Sequence, residues 1–225
     1  MYRFQSELDS QGDGSSGAPD ASSNGRFCAD HATRTFCEDF DDTGMLKPEW
    51  SQTTNKGGAL GVGPPAKSLP NALGLYVPVG DAPRVAVARE FFGHFKRVSC
   101  EFDFYFEKVD GKDSQDGPIL EVGNEAAGVV KYVSLATNLV YAEDADRVES
   151  RYSSSPEHLA WTHYVFVADF EKQEARVSHD NGPTSWVTFA KYPLSEKIVL
   201  SFGISYPRLG AVGYRIDNIV CDLVE

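Results

Sequence analysis

The sequence contains few basic residues, few methionines and no long apolar stretch. Its 225 residues include 21 Lys and Arg against 33 Asp and Glu, which gives a formal net charge of −12. Nucleic acids and anionic membranes are bound through basic surfaces, so this balance argues against both as main partners. No stretch approaches the roughly 18 apolar residues that a membrane helix needs. Residues 1–6 lack the apolar core of an export signal, and we expect any such signal to lie outside this sequence.

The sequence also lacks the short motifs of several enzyme classes. It has no Gly-x-Ser-x-Gly nucleophile turn, no phosphate-binding glycine loop and no His-Glu-x-x-His zinc motif. The five histidines are scattered along the chain. His163 lies in a strand-like segment, and we interpret it as a hydrogen-bonded sheet histidine rather than a catalytic base.

Four cysteines, Cys28, Cys37, Cys100 and Cys221, allow three pairings. No Cys-x-x-Cys pair and no histidine at zinc-finger spacing occurs, which argues against a zinc site. Cys28 and Cys37 are close enough for a local bridge, and Cys100 and Cys221 each lie in a strongly patterned strand. We therefore expect the disulfides Cys28–Cys37 and Cys100–Cys221, with four buried reduced thiols as the alternative. Disulfides would place the protein outside the cytosol.

A change of composition near residue 26 divides the chain. Residues 9–25 contain no apolar side chain larger than alanine, so they cannot bury enough surface to fold. We expect residues 1–25 to be a flexible linker rich in Ser, Gly and Asp, and residues 26–225 to form one domain. The 14 Phe, 10 Tyr and 3 Trp, together with 20 Gly and 12 Pro, favour a β-rich domain with many turns.

Several segments of this domain show the alternation of a β-strand. In residues 98–107 every second side chain is apolar, which predicts a strand with one buried face. Residues 198–204 repeat the pattern. Residues 161–169 are apolar on both faces and predict a central strand covered on each side. In the last segment the phase slips near Asp217 and Asn218, which predicts a β-bulge there. A dozen or more short strands with frequent turns predict an all-β sandwich or jelly roll.

Three segments occur in this order: Phe36–Asp42 with Trp50 and Gly57–Gly58, Trp161–Asp169 with Ala175–Gly182, and Tyr214–Val220. Together they resemble concanavalin A-like lectin/glucanase domains, and laminin G-like jelly rolls in particular, over about residues 34–224. The resemblance implies an all-β jelly-roll sandwich of two antiparallel sheets. An acidic tether rich in Ser, Gly and Asp before such a domain also resembles surface lipoproteins of Gram-negative bacteria. Lectins, glycosidases, lyases and adhesion modules share this fold, so it does not imply one function.

Glu101, Asp103 and Glu107 share one face of a predicted strand. Family 16 glycoside hydrolases carry Glu-x-Asp-x-Glu or Glu-x-Asp-x-x-Glu on such a strand, with the first Glu as nucleophile and the last as acid/base. Retaining chemistry needs two carboxyl groups about 5–5.5 Å apart. Six strand residues, however, separate Glu101 from Glu107 by about 20 Å. Tyr105 or Phe106 stands where the acid is required. We therefore predict a solvated acidic face and no hydrolytic site on this strand.

Two further sets of side chains are candidates for a metal or a ligand. In many family 16-like domains, acids on the paired first and last strands bind a structural calcium. The matching residues here are Asp39 and Asp217, with Glu38 as a further candidate, and hydrogen-bonded strand-end acids are the alternative. Sugar binding needs aromatic platforms beside planar polar groups. Such residues fall in the second half of the domain, where no spacing singles one out: Tyr132, Tyr141, Arg151 and Tyr152, with Glu149 and Trp186 beside them.

The hypothesis that fits these observations best is a non-catalytic, extracytoplasmic surface module that binds a glycan or another surface polymer, lipid-tethered in its precursor. A glycoside hydrolase or polysaccharide lyase of the same fold is the first alternative, and a structural or protein-docking sandwich is the second. Exposed Tyr or Trp beside Arg or Asn in a groove would favour glycan binding. Paired carboxylates about 5–9 Å apart in a cleft would favour hydrolysis, and a flat face would favour docking.

Overall fold

The computed structural model describes residues 27–41, 45–80, 83–109, 118–136, 139–142, 150–151, 159–180, 182–193, 195–204 and 211–225. Within these residues it contains a short helix, α1 (Phe27–Asp30), and fifteen β-strands. In chain order the strands are β1 (Phe36–Glu38), β2 (Ser51–Asn55), β3 (Ala59–Gly63), β4 (Ala72–Val77), β5 (Arg84–Phe92), β6 (Arg97–Val109), β7 (Pro118–Ala126), β8 (Val129–Ala136), β9 (Leu139–Ala142), β10 (Ser150–Arg151), β11 (Trp161–Asp169), β12 (Glu174–His179), β13 (Ser185–Thr188), β14 (Lys197–Ile204) and β15 (Val212–Val224).

The predicted linker, residues 1–25, lies outside the described residues. In the part of the chain that is described, no helix has the length and the apolar character that crossing a membrane requires.

The strands form two antiparallel sheets. The first has the order β13-β12-β11-β6-β15-β4-β3, with β1 also paired to β15, and the second has the order β10-β9-β8-β7-β14-β5-β2. Strands far apart in the chain lie side by side, as β6 does between β11 and β15. This arrangement confirms the predicted all-β, two-sheet jelly-roll sandwich.

Alternation along β6 builds the core in the predicted way. The inward side chains of this strand are all buried: Val98, Cys100, Phe102, Phe104 and Phe106. Phe102 meets Phe202 of the second sheet edge-on, with ring centroids 5.4 Å apart. The intervening residues of β6 therefore lie on the outer face of the first sheet, the face directed away from the second sheet.

Strand β11 differs from its prediction, because it is covered on one side only. Tyr164 and Phe166 are buried between the sheets, whereas His163 is exposed and Val165 and Val167 are half-exposed on the outer face. The apolar residues on this outer face do not mark a second layer. Val165 is paired with Glu101 and Ser178, and Val167 with Ser99 and Arg176. Cross-strand neighbours of this kind can shield a valine partly.

Both predicted disulfides are confirmed. Cys28 and Cys37 tie α1 to β1, with their Cα atoms 5.5 Å apart. Cys100 and Cys221 are directly opposite each other in the β6–β15 pair, with their Cα atoms 4.2 Å apart. Two disulfides are typical of proteins that fold in an oxidising compartment.

The predicted bulge in β15 is also confirmed. The register with β6 shifts between Asp217 and Val220, and Asn218 has a φ of 52°, the left-handed conformation that asparagine tolerates better than most residues. The shift returns Ile219 to the core after Ile216. It also leaves the polar side chains of Asp217 and Asn218 next to Asp103 of β6.

Candidate functional site

A cleft of about 250 Å³ lies on the outer face of the first sheet, beside the edge strand β3. Its floor contains Gly61 and Gly63 of β3 and Gly74 of β4, and Gly61 is directly opposite Gly74. A Cβ atom at Gly61 or Gly63 would meet no atom within 4 Å. Glycine in a strand interior often marks a place where a ligand approaches the backbone closely. We call this region the glycine cleft, formed by Gly61, Gly63, Gly74, Tyr76, Glu107 and Arg215.

Arg215 of β15 is the fixed polar group of the glycine cleft. Its side chain lies across the space left by Gly74, where a Cβ atom would be 3.6 Å from Nη1. Nη1 donates a hydrogen bond to the carbonyl oxygen of Gly63 (3.2 Å), and Nη2 donates to Oε1 of Glu107 (3.1 Å). The residue is only 6% exposed. A guanidinium held at both ends in this way has a defined orientation before any ligand arrives.

Aromatic rings continue the cleft along the sheet. Gly61, Gly74, Arg215, Tyr105 and Trp161 occupy successive paired positions on β3, β4, β15, β6 and β11. The rings of Tyr105 and Trp161 are 5.3 Å apart. Burial, and then the negative charge of Glu107, raise the pKa of Tyr105, so its phenol is neutral at physiological pH. Bare backbone, a guanidinium and two rings thus form one row across the sheet.

The middle of the same outer face carries a polar network around Asp103. His163 Nδ1 lies 3.1 Å from Asp103 Oδ1, and Asn218 Nδ2 donates to Asp103 Oδ2 (2.8 Å). Ser68 Oγ donates in turn to Asn218 Oδ1 (2.7 Å). The hydrogen bond to Asp103 is the main cause of a raised pKa at His163. Both oxygens of Asp103 are therefore engaged by protein groups.

The three carboxylates of the predicted acidic face, Glu101, Asp103 and Glu107, differ in their partners. Glu101 lies near Arg34 (3.4 Å) and near Nε2 of His163 (3.8 Å), Asp103 belongs to the network, and Glu107 binds Arg215. Glu101 and Asp103 thus share His163 as a neighbour, whereas Glu107 is held apart by Arg215. The absence of a hydrolytic site on this strand stays a prediction.

No known family model matches this chain, and no curated protein matches it by sequence. Solved structures do match it in fold. A sialidase superposes on 84% of this chain with a TM-score of 0.57 at 15% identity, although the match spans only 18% of the sialidase. Lectin UEA-II, complexed with galactose, matches 85% of this chain and all of its own length (TM-score 0.53, 10% identity). A Bacteroides ovatus GH16 protein in complex with a product matches 83% of this chain and 99% of its own (TM-score 0.54, 12% identity).

The chain has the concanavalin A-like jelly-roll fold. Identities of this size establish the fold alone, so what the domain does depends on its own side chains.

In this concanavalin A-like domain the predicted calcium ligands lie where the first and last strands meet, because β1 pairs with β15. Asp217 Oδ2 accepts hydrogen bonds from the backbone N–H groups of Lys67 and Ser68, both at 2.9 Å, and from Ser68 Oγ. Asp39 Oδ1 accepts from the backbone of Asp41 (3.3 Å). Among the described residues, no group of three or more His, Cys, Asp or Glu is placed to hold a metal ion.

The arrangement at Asp217 matches the hydrogen-bonded alternative, since donors of the chain already surround its carboxylate. Burial is the largest cause of the rise of its pKa to about 7, and the hydrogen bonds from Ser68 and Asn218 oppose that rise. Calcium at Asp39 and Asp217 stays a prediction, which a calcium titration followed by melting temperature would test.

The predicted sugar-binding residues fall at the other sheet. Tyr132 lies on β8, Tyr141 on β9 and Arg151 on β10. Tyr141 is paired with Ser134 of β8, and Arg151 is paired with Leu139 of β9, so these three strands lie side by side. Tyr152 lies outside the described residues. The half-buried Tyr132 ring crosses Gly123 of β7, where a Cβ atom would be 3.0 Å from its Cε1. That these residues bind a ligand stays a prediction.

Reasoning from the sequence missed the glycine cleft. The available signal was the pair of alternating glycines, Gly61 and Gly63, in a short strand-like segment, because glycine is unfavourable in a strand unless its bare backbone is used. The role of Arg215 had no local signal, since it depends on the pairing of β15 with β4.

Proposed function

We propose that this domain is a glycan-binding module that acts outside the cytosol, and that the glycine cleft is its binding site. The observation that carries the proposal is the bare floor at Gly61 and Gly63 beside the clamped guanidinium of Arg215. Ligand sites are typically concave surfaces with a few convergent, fixed polar groups. A sugar ring, which has a flat apolar face and a rim of hydroxyl groups, fits such a surface.

The polar pair in the cleft suits hydroxyl groups in particular. Arg215 supplies only donors and Glu107 supplies only acceptors, and the two are hydrogen-bonded side by side. Adjacent hydroxyl groups of a sugar can donate to one and accept from the other. Tyr76 lines the same cleft and adds an aromatic wall, and aromatic rings provide apolar contact area with little loss of conformational freedom.

Two further observations support the proposal. The lectin that shares the fold was solved with galactose, and the GH16 protein was solved with a product. The two disulfides favour a protein that folds outside the cytosol. Because Glu101, Asp103 and Glu107 each already have a basic or amide partner within the chain, we propose that the module binds without cleaving. A lipid anchor on the precursor stays part of the hypothesis.

A glycan array followed by calorimetry on the full chain tests the proposal. Gly61→Leu places a side chain in the open space above the floor and should weaken binding of the best array ligand at least tenfold. Gly80→Leu is the matched control, because Gly80 also has no atom within 4 Å of its Cβ position and does not line the cleft. Tyr132→Ala reports on the alternative surface at the second sheet.

Wild-type melting temperatures for all three variants would show that any change in affinity is local. Loss of binding in Tyr132→Ala with full binding in Gly61→Leu would move the site to the second sheet. An array on which no glycan binds would overturn the proposal.

A further inference from the structure

Trp186 is an exposed tryptophan on the opposite edge of the first sheet. It lies on β13, the edge strand, and 56% of it is exposed, whereas its neighbour Val187 is buried. Tryptophan is highly buried on average, so an exposed ring on a regular strand calls for an explanation. Its paired position on β12 is Arg176, also exposed. A flat ring and a guanidinium thus stand side by side on the surface.

Two clefts meet at Arg176. The first, of about 330 Å³, is lined by Glu174, Arg176, Thr184 and Trp186. The second, of about 180 Å³, shares Glu174 and Arg176 and adds Arg97, Val167, Asp169 and Lys172. Together they form what we call the edge groove. It runs across β13, β12, β11 and β6, and four strands at their usual spacing span about 14 Å. That length accommodates several linked sugar rings.

The charges of the edge groove favour an anionic ligand. Arg176 is paired with Glu174, and Lys172 is paired with Asp169 at 3.5 Å. Arg97 is exposed, and within the described part of the chain it forms no ion pair. Three cations therefore face two carboxylates. Exposed ion pairs are weak, so Arg176 and Lys172 can exchange their partners for carboxylates of a ligand at little cost.

We propose that the edge groove binds an acidic glycan, a chain of sugars that carry carboxylate groups. Trp186 stacks on a ring of this glycan, and Arg97, Lys172 and Arg176 bind its carboxylates. The site is separate from the glycine cleft, because Arg97 and Glu107 stand near opposite ends of β6, about 33 Å apart along the strand. Each site can therefore fail without the other.

Calorimetry of the full chain with a panel of acidic oligosaccharides tests the inference, the panel being trigalacturonate, tetramannuronate, tetraguluronate and a hyaluronan hexamer. At least one should bind, and its methyl-esterified form should bind at least tenfold more weakly. Trp186→Ala should weaken binding at least tenfold, and Arg97→Gln about threefold. The matched controls are Phe92→Ala, which removes another exposed ring, and Arg84→Gln, on another exposed strand position. Both should leave affinity unchanged.

Gly61→Leu separates the two sites, because it should preserve acidic-glycan binding while it weakens binding in the glycine cleft. Failure of all four probes to bind, equal affinity for the esterified form, or full affinity in Trp186→Ala would each overturn the inference. None of these three results would bear on the glycine cleft, whose test is the loss of binding of its own ligand in Gly61→Leu.

Discussion

At the middle of the first sheet's outer face, Asp103 binds His163 and Asn218, whereas at the β3 edge Arg215 lies beside bare glycine backbone. Both regions are rich in charged groups that are hydrogen-bonded to each other. They differ in what lies next to those groups. In the middle, neighbouring side chains occupy the surface, and at the edge glycine leaves it open. Unfilled space beside an oriented polar group, rather than the density of charge, therefore marks the better candidate for binding.

The middle of the first sheet is expected to govern the stability of the domain. Its largest single contribution comes from the disulfide on the buried side of β6 and β15. Cys100 and Cys221 join β6 to β15 across a sequence separation of 121. Replacing both with alanine should cost about 4–5 kcal/mol, because a long loop is released in the unfolded chain. The matched Cys28→Ala/Cys37→Ala variant opens a separation of only 9 and should cost about 3 kcal/mol. Urea unfolding measures both, and equal losses would contradict this ranking.

Asp217, in the middle of the first sheet, should also make the free energy of unfolding depend on pH. Burial raises the pKa of Asp217 from 3.8 to about 7, so the folded state holds a proton that the unfolded state releases. This stabilisation is complete below pH 3.8 and is lost as pH rises through about 7, on the order of 4 kcal/mol in total. The raised pKa of His163 acts with the same sign, with its contribution lost above that pKa.

Urea unfolding of the wild type and of Asp217→Asn, from pH 4.5 to pH 8, isolates this contribution. The wild type should lose stability relative to the variant as pH rises. Parallel curves would show that Asp217 has an ordinary pKa. Glycan binding by either edge site should be the same in both proteins at a given pH.

Loss of the imidazole at His163 should have a smaller effect. Its side chain is 46% exposed, so solvent screens its hydrogen bond to Asp103, and His163→Gln should cost about 1 kcal/mol at pH 6. The cost should shrink as pH rises through the raised pKa of His163, because the wild-type ring then loses its proton. A loss of glycan binding in a variant of normal stability would contradict the purely structural role of the middle.

Local signals in the sequence were sufficient for the elements of the middle. The alternation in residues 98–107 predicted the buried face of β6, and the slipped phase near Asp217 predicted the bulge. Cys100 and Cys221 were informative for the same reason, because each lay in a patterned segment, whereas Cys28 and Cys37 were paired by their closeness in the chain. These features depend on side chains two positions apart, and a strand displays that period wherever it lies in the sheet.

The candidate binding sites at the edges of the first sheet could not be derived from local patterns, because they depend on which strands are neighbours. Gly74 and Arg215 are 141 residues apart in the chain, and only the pairing of β4 with β15 brings them together. The prediction for residues 161–169 failed for a related reason. A partly shielded outer valine and a fully buried one look the same in a sequence, and only the sheet order shows that β11 has one covered face.

The smallest change in stability is expected at Gly74. A Cβ atom there would lie 3.5 Å from the carbonyl oxygen of Gly61 and 3.6 Å from Nη1 of Arg215, which are ordinary contact distances. Gly74→Ala should therefore change the free energy of unfolding by no more than about 0.5 kcal/mol, since the methyl group also restricts the unfolded chain. The same methyl group raises the floor of the glycine cleft and should weaken glycan binding a few-fold.

Gly61→Ala is the matched variant, because its Cβ atom would meet nothing within 4 Å. It should gain up to about 0.5–1 kcal/mol in stability through the restricted unfolded chain, and it should lose affinity to a similar extent as Gly74→Ala. Urea unfolding measures the change in stability of the two variants, and calorimetry measures the change in their affinity for glycan. If both variants bind glycan as the wild type does, the open backbone at the edge is not what the ligand contacts, and the contrast with the crowded middle has no functional meaning.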